Sequence, residues 1–116
     1  LSGEQQALDR LNVPTMIKEA LKEFLAKVKK VLGDPEVYLF GSYARGDWLY
    51  ESDLDLIVVS RRFKGLDLGK RYTLVRKLIS SKVSVELLLY TPEEFERVKK
   101  KSIVIQDAME YWIKLL

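Results

Sequence analysis

The chain has neither cysteine nor histidine. Without thiols there is no disulfide framework, thiolate metal site or cysteine nucleophile. Without imidazole there is no histidine metal ligand, no histidine-based triad and no ordinary imidazole acid–base step. Any chemistry falls to carboxylates, hydroxyls, lysine and arginine. No stretch approaches eighteen consecutive apolar residues, and the opening Leu1 to Arg10 lacks the basic start and apolar run of a secretory signal. The expectation is a soluble, cytoplasmic protein with no membrane span. Repeats and low-complexity linkers are also missing.

At 116 residues and 47% apolar content, the sequence fits one domain. A fold of that size buries roughly two thirds of the surface its unfolded chain exposes, so no metal or disulfide is needed to hold it together. The formal charge of +3 hides an uneven distribution. Residues 34–59 carry Arg45 against six acidic residues, net −5, whereas residues 60–82 carry eight basic residues against Asp67, net +7. An acidic centre beside a basic segment suits metal and phosphate chemistry, although a basic run is more often a solvated helix face.

The hydrophobic pattern gives the order of elements. After Pro14, Thr15 is placed to cap a helix whose apolar positions Leu21, Phe24, Leu25, Val28, Val31 and Leu32 advance in threes and fours, with Gly33 to end it. Val37 to Phe40 reads as a short strand entering Gly41-Ser42, and Tyr43 to Arg45 as the start of a short helix. Asp53 to Val59 is the best strand: Asp53, Asp55 and Ile57 alternate with Leu54, Leu56 and Val58. Leu68 to Ile79 supports a helix less cleanly. Val83 to Tyr90 is a further strand, which places Ser84, Glu86 and Leu88 on one face. Thr91-Pro92-Glu93-Glu94 matches a capping box with a first-turn proline. Ser102 can cap another helix, and Trp112 to Leu116 is either its last turn or a closing strand. The fold class is α/β (α+β): a small mixed sheet of three to four strands flanked by helices. It forms a single domain over residues 1–116, with 1–14 a flexible or helical N-terminal extension.

Two aspartates two apart on a strand project from the same face, their backbones about 6 to 7 Å apart. An isolated D-x-D of this kind is usually just an exposed strand start. Here Asp53 and Asp55 follow Gly41-Ser42 with ten residues between, Tyr43 to Ser52. A Gly41 backbone can approach a ligand more closely than any residue with a side chain, and Ser42 adds a hydroxyl. Arg45 is poised either to clamp phosphate or to pair with a carboxylate. Tyr43 and Trp48 read as core or rim packing rather than base-stacking residues.

Glycine-serine, ten residues, then aspartate-x-aspartate resembles the hallmark of the DNA polymerase beta-like nucleotidyltransferase superfamily. The similarity is closest to its short members, the minimal nucleotidyltransferases, and covers Thr15 through Leu116. The resemblance implies ATP as nucleotide substrate, with Mg2+ held by Asp53 and Asp55 and the triphosphate bound by Gly41 and Ser42, with Arg45 as a further candidate for the phosphates. The family commonly adds a third carboxylate from a neighbouring strand. Glu86 is the only acidic residue in the Val83 to Tyr90 strand, so it takes that metal and catalytic position, although the family usually places aspartate there.

Minimal members resemble antitoxins encoded beside an all-helical HEPN toxin, some of which they adenylylate. The resemblance therefore implies transfer of AMP to a hydroxyl of a HEPN partner protein. Association into a homo-oligomer is open, and direct nucleic-acid binding is less favoured because no second domain here grips a strand. The competing reading is a non-catalytic antitoxin that neutralises its partner by occlusion, which the glutamate in place of aspartate keeps in contention.

Overall fold

The computed structural model describes residues 3–116. Helix α1 (Gly3–Arg10) precedes the long α2 (Thr15–Leu32); strand β1 (Glu36–Phe40) then leads into the one-turn α3 (Ser42–Arg45). Strand β2 (Leu54–Val59), a 3₁₀ turn (Arg61–Phe63), α4 (Leu68–Arg76) and β3 (Val85–Tyr90) follow. The chain closes with α5 (Pro92–Lys101), α6 (Ile103–Met109) and the two-residue β4 (Ile113–Lys114). The segment after Trp112 is thus a closing strand, paired with β1.

The four strands form one mixed sheet in the order β3-β2-β1-β4. β1 runs antiparallel to both β2 and β4, while β2 and β3 are parallel. Parallel neighbours need a crossover, and α4 lies within it. The expected architecture, a small mixed sheet flanked by helices, is the one found. No helix among the described residues is long and apolar enough to cross a membrane.

Because strand side chains alternate, each face of the sheet has its own core. On one face Val37, Leu39, Leu54, Leu56 and Val58 pack with Leu21, Phe24, Leu25 and Val28 of α2. On the other, Tyr38, Phe40, Ile57 and Val59 pack with Phe95, Ile105 and Ala108 of α5 and α6. Phe24 is fully buried, so truncating it to alanine would cost about 3–5 kcal/mol. With both faces of β2 covered, a carboxylate on this strand has room only near its start, where Asp53 precedes the strand and Asp55 is its second residue.

Two local expectations are corrected. Thr15 does not cap α2: Pro14 occupies the cap position with no side-chain hydrogen bond, and its carbonyl accepts from the amides of Ile17 and Lys18. The helix from Leu68 stops at Arg76, whose guanidinium donates to the carbonyls of Ile79, Ser80 and Val83 and so organises the descent into β3. The capping box before α5 is present in full, with Thr91 and Glu94 exchanging hydrogen bonds. Ser102 accepts from the Ile105 amide to cap α6.

The basic segment is partly structural. Arg71 is buried, donates to the carbonyls of Leu66 and Leu89, and forms a two-pronged pair with Glu94 at 2.6 and 3.1 Å. This pair ties α4 to α5 at the C-terminal end of edge strand β3.

Candidate active site

The acidic centre is assembled by sheet register. Asp55 lies opposite Phe40 on β1 and opposite Glu86 on β3. The last residue of β1 is followed at once by Gly41, so the Gly41-Ser42 turn, Asp55 and Glu86 are brought to the same end of the sheet. Asp53 lies just before β2, and the Ser84 hydroxyl donates to its Oδ1 at 2.5 Å. Ser84, immediately before β3, shares the face of Glu86, so this segment touches both members of the aspartate pair.

Asp55 and Glu86 interact directly. Burial, followed by repulsion from Glu86, a hydrogen bond to Glu86 and repulsion from Asp53, pushes the Asp55 carboxyl up to about 7; Arg45 pulls in the opposite direction. Two carboxylates this close cannot both stay ionised cheaply without a cation. Among the described residues, however, the acidic side chains do not form a closed group of three ligands. The donor set is entirely oxygen, which suits a hard divalent ion such as magnesium, an ion that usually takes one or two carboxylates together with waters and substrate phosphates. Asp55 and Glu86, the two carboxylates in direct contact, have the chemistry of such a pair, with Asp53 beside them.

Gly41 is held at φ 73 and caps α3, whose first residue is Ser42. A β-carbon at Gly41 would stand 2.7 Å from Cγ of Asp55 and 3.1 Å from its Cβ. The glycine therefore serves the packing of the turn onto Asp55 as well as any approach to a ligand. The Gly41 carbonyl accepts from the amides of Ala44 and Arg45, closing the short helix.

Arg45 is exposed and makes a 3.1 Å ion pair with Asp47. Its guanidinium also stacks over the Tyr111 ring at 5.2 Å from the centroid and donates to the Tyr111 hydroxyl at 3.1 Å. Tyr43 is buried and donates to the Ser52 carbonyl, while Trp48 packs on it at 5.9 Å and donates to the Asn12 carbonyl. Both aromatics are packing residues. Sequence reasoning missed Ser84 and Tyr111. Ser84 had a usable signal, since it alternates with Glu86, but Tyr111 is 70 residues from Gly41 and had none.

Comparison with known proteins agrees with this geometry. Residues 17–111 match the family described as nucleotidyltransferase domain. The chain is 31% identical over 101 residues to a candidate protein adenylyltransferase of Methanocaldococcus jannaschii, covering 85% of this chain and 98% of that one. Among solved structures, a candidate nucleotidyltransferase from Sulfolobus solfataricus superposes with a TM-score of 0.58 at 28% identity, covering 85% of this chain and 83% of that one. A toxin–antitoxin structure with AMP-PNP gives 0.55 at 25% identity, covering 80% and 70%.

Proposed function

The chain belongs to the nucleotidyltransferase domain family, and from that membership we propose that it transfers AMP from ATP to a hydroxyl on a partner protein. The observation that carries the reading is the register that sets Asp55 against Glu86 beside the Gly41 turn. Similarity to a candidate protein adenylyltransferase and to a toxin–antitoxin structure with AMP-PNP supports ATP as the nucleotide and a protein as acceptor. The acceptor we favour is an all-helical HEPN toxin in a cytoplasmic toxin–antitoxin pair, with this chain as the antitoxin.

In this scheme the Ser42 amide and hydroxyl, set in place by the Gly41 turn, and the Arg45 side chain take the outer phosphates. Asp53, Asp55 and Glu86 would hold magnesium, which would neutralise the clustered negative charge and make an acceptor hydroxyl more acidic. Glu86 is exposed at the sheet edge and receives the proton of the acceptor hydroxyl. The acceptor oxygen bonds to the α-phosphorus and the bond to the α–β bridging oxygen breaks. Pyrophosphate leaves with that electron pair toward the Gly41-Ser42 turn. Alignment and electrostatic stabilisation carry such a reaction without histidine.

The test incubates the purified helical partner with this protein, ATP and magnesium and follows the partner's intact mass. Gain of one adenylyl group supports transfer. An unchanged mass, with the partner nevertheless silenced, assigns neutralisation by occlusion instead.

A further inference from the structure

Tyr111 lies between α6 and β4, the neighbour of β1, and its hydroxyl reaches the Gly41 turn at the end of β1. Its hydroxyl oxygen accepts two hydrogen bonds, from the Gly41 amide at 3.2 Å and from Nη1 of Arg45 at 3.1 Å. A phenol oxygen receiving two donors has one polar capacity left, its own proton. The ring lies under the Arg45 guanidinium, so the same side chain fixes that cation by stacking and by hydrogen bonding. Arg45 is otherwise an exposed side chain whose Nε donates to Oδ2 of Asp47 at 3.1 Å.

Two donors therefore converge on one phenol oxygen, the Gly41 amide beside Asp55 and the Arg45 guanidinium, which leaves the phenol proton and the other guanidinium N–H groups to face a ligand. Asp47 occupies Nε of Arg45, and the remaining guanidinium N–H groups together with the phenol proton match the outer oxygens of a polyphosphate. We propose that Tyr111 is a positioning residue of the phosphate site, locking the Gly41 turn and Arg45 into one unit and donating its own hydroxyl proton to the pyrophosphate portion of a nucleoside triphosphate. This rests on the nucleotidyltransferase reading and adds to it a residue that discriminates triphosphate from monophosphate.

Tyr111→Phe keeps the ring and its stacking on Arg45 and removes only the hydroxyl, so it isolates the claim. Calorimetric titrations with ATP, tripolyphosphate and AMP, each with magnesium, are run on the native protein, Tyr111→Phe, Arg45→Ala and the double variant, alongside thermal unfolding. The expected result is about tenfold weaker binding of ATP and tripolyphosphate by Tyr111→Phe, equivalent to the loss of one charge-assisted hydrogen bond. AMP affinity should stay within about twofold of native. The losses should also be less than additive: because part of the Tyr111 effect acts through Arg45, the double variant should lose less than the sum of the two single variants. Native-like ATP and tripolyphosphate binding by Tyr111→Phe overturns the proposal, as do equal losses for AMP and ATP or strictly additive losses. If the native protein binds neither ATP nor tripolyphosphate, the nucleotide reading itself fails. That outcome is distinct from native binding that Tyr111→Phe leaves untouched.

Discussion

Gly41 and Asp55 fit together only because Gly41 has no side chain. Its φ of 73 lies in the left-handed region, and a β-carbon there would overlap the Asp55 carboxylate, 2.7 Å from Cγ. The glycine of the motif and the second aspartate of the motif are thus one packing unit, which gives the ten-residue spacing between their pairs a physical meaning. The intervening loop must return β2 so that Asp55 slots against the bare backbone at the end of β1.

Gly41→Ala should therefore destabilise the fold by more than the roughly 1–3 kcal/mol of positive-φ backbone strain alone, and it should weaken ATP binding by displacing Asp55. Ser42→Ala should do less to either. In an Asp55→Ala background the carboxylate clash is gone, so the cost of Gly41→Ala should fall toward the strain term. Thermal unfolding of the four-variant cycle measures this; an identical Gly41→Ala cost in both backgrounds would show that the contact with Asp55 is immaterial.

Asp55 is raised to about 7 by burial and by its acidic neighbours, so in the metal-free protein its ionisation opposes folding. The folded chain retains a proton that the unfolded chain releases between about pH 4 and 7, and the Asp55 contribution to stability falls as pH rises through that window. Asp55→Asn should unfold at a higher temperature than native protein at pH 8 in the presence of chelator, with the difference shrinking toward pH 5. Parallel curves for the two proteins across that range would contradict the assigned repulsion.

The Arg71–Glu94 pair has the opposite sign. Hydrogen bonding from Arg71, with help from the Thr91 amide, holds the Glu94 carboxyl down at about 2. Its stabilisation is present above about pH 4.5 and is lost as pH falls toward 2. Arg71 is buried, but the Glu94 side chain is 31% exposed, and solvent screening reduces the effect to about 1–2 kcal/mol at neutral pH. Glu94→Gln preserves the capping-box geometry while removing the charge, so denaturant midpoints of native and variant protein should differ at pH 7 and converge below pH 3. A gap independent of pH would assign the loss to packing or capping instead.

Much of the site was legible because strand alternation is a local property. It put Asp53 and Asp55 on one face and Glu86 on the corresponding face of another strand. Alternation alone did not make Asp55 and Glu86 direct partners, because the register of two parallel strands depends on the crossover through α4 and on where β3 begins; the family resemblance set Glu86 beside the aspartates. The fold class followed from hydrophobic periodicity and from unambiguous caps such as Thr91-Pro92-Glu93-Glu94. Thr15 misled because Pro14 already closes the end of α2 with its carbonyl. Arg71 looked like one charge in a solvated basic run, yet it is buried by contacts with Leu66, Leu89 and Glu94, all distant in sequence or dependent on tertiary packing. Tyr111 was silent for the same reason.

The central claim is adenylyl transfer, and the most direct measurement follows label from ATP carrying it at either the α- or the γ-phosphate into the helical partner protein, with magnesium present. The account predicts that α-label becomes covalently attached to the partner and γ-label does not. Asp53→Asn/Asp55→Asn should abolish the attachment, and Glu86→Gln should slow it by about 10²- to 10⁴-fold while leaving partner association intact. Attachment of γ-label instead, or no label at all while native and Glu86→Gln proteins silence the partner equally, would contradict it.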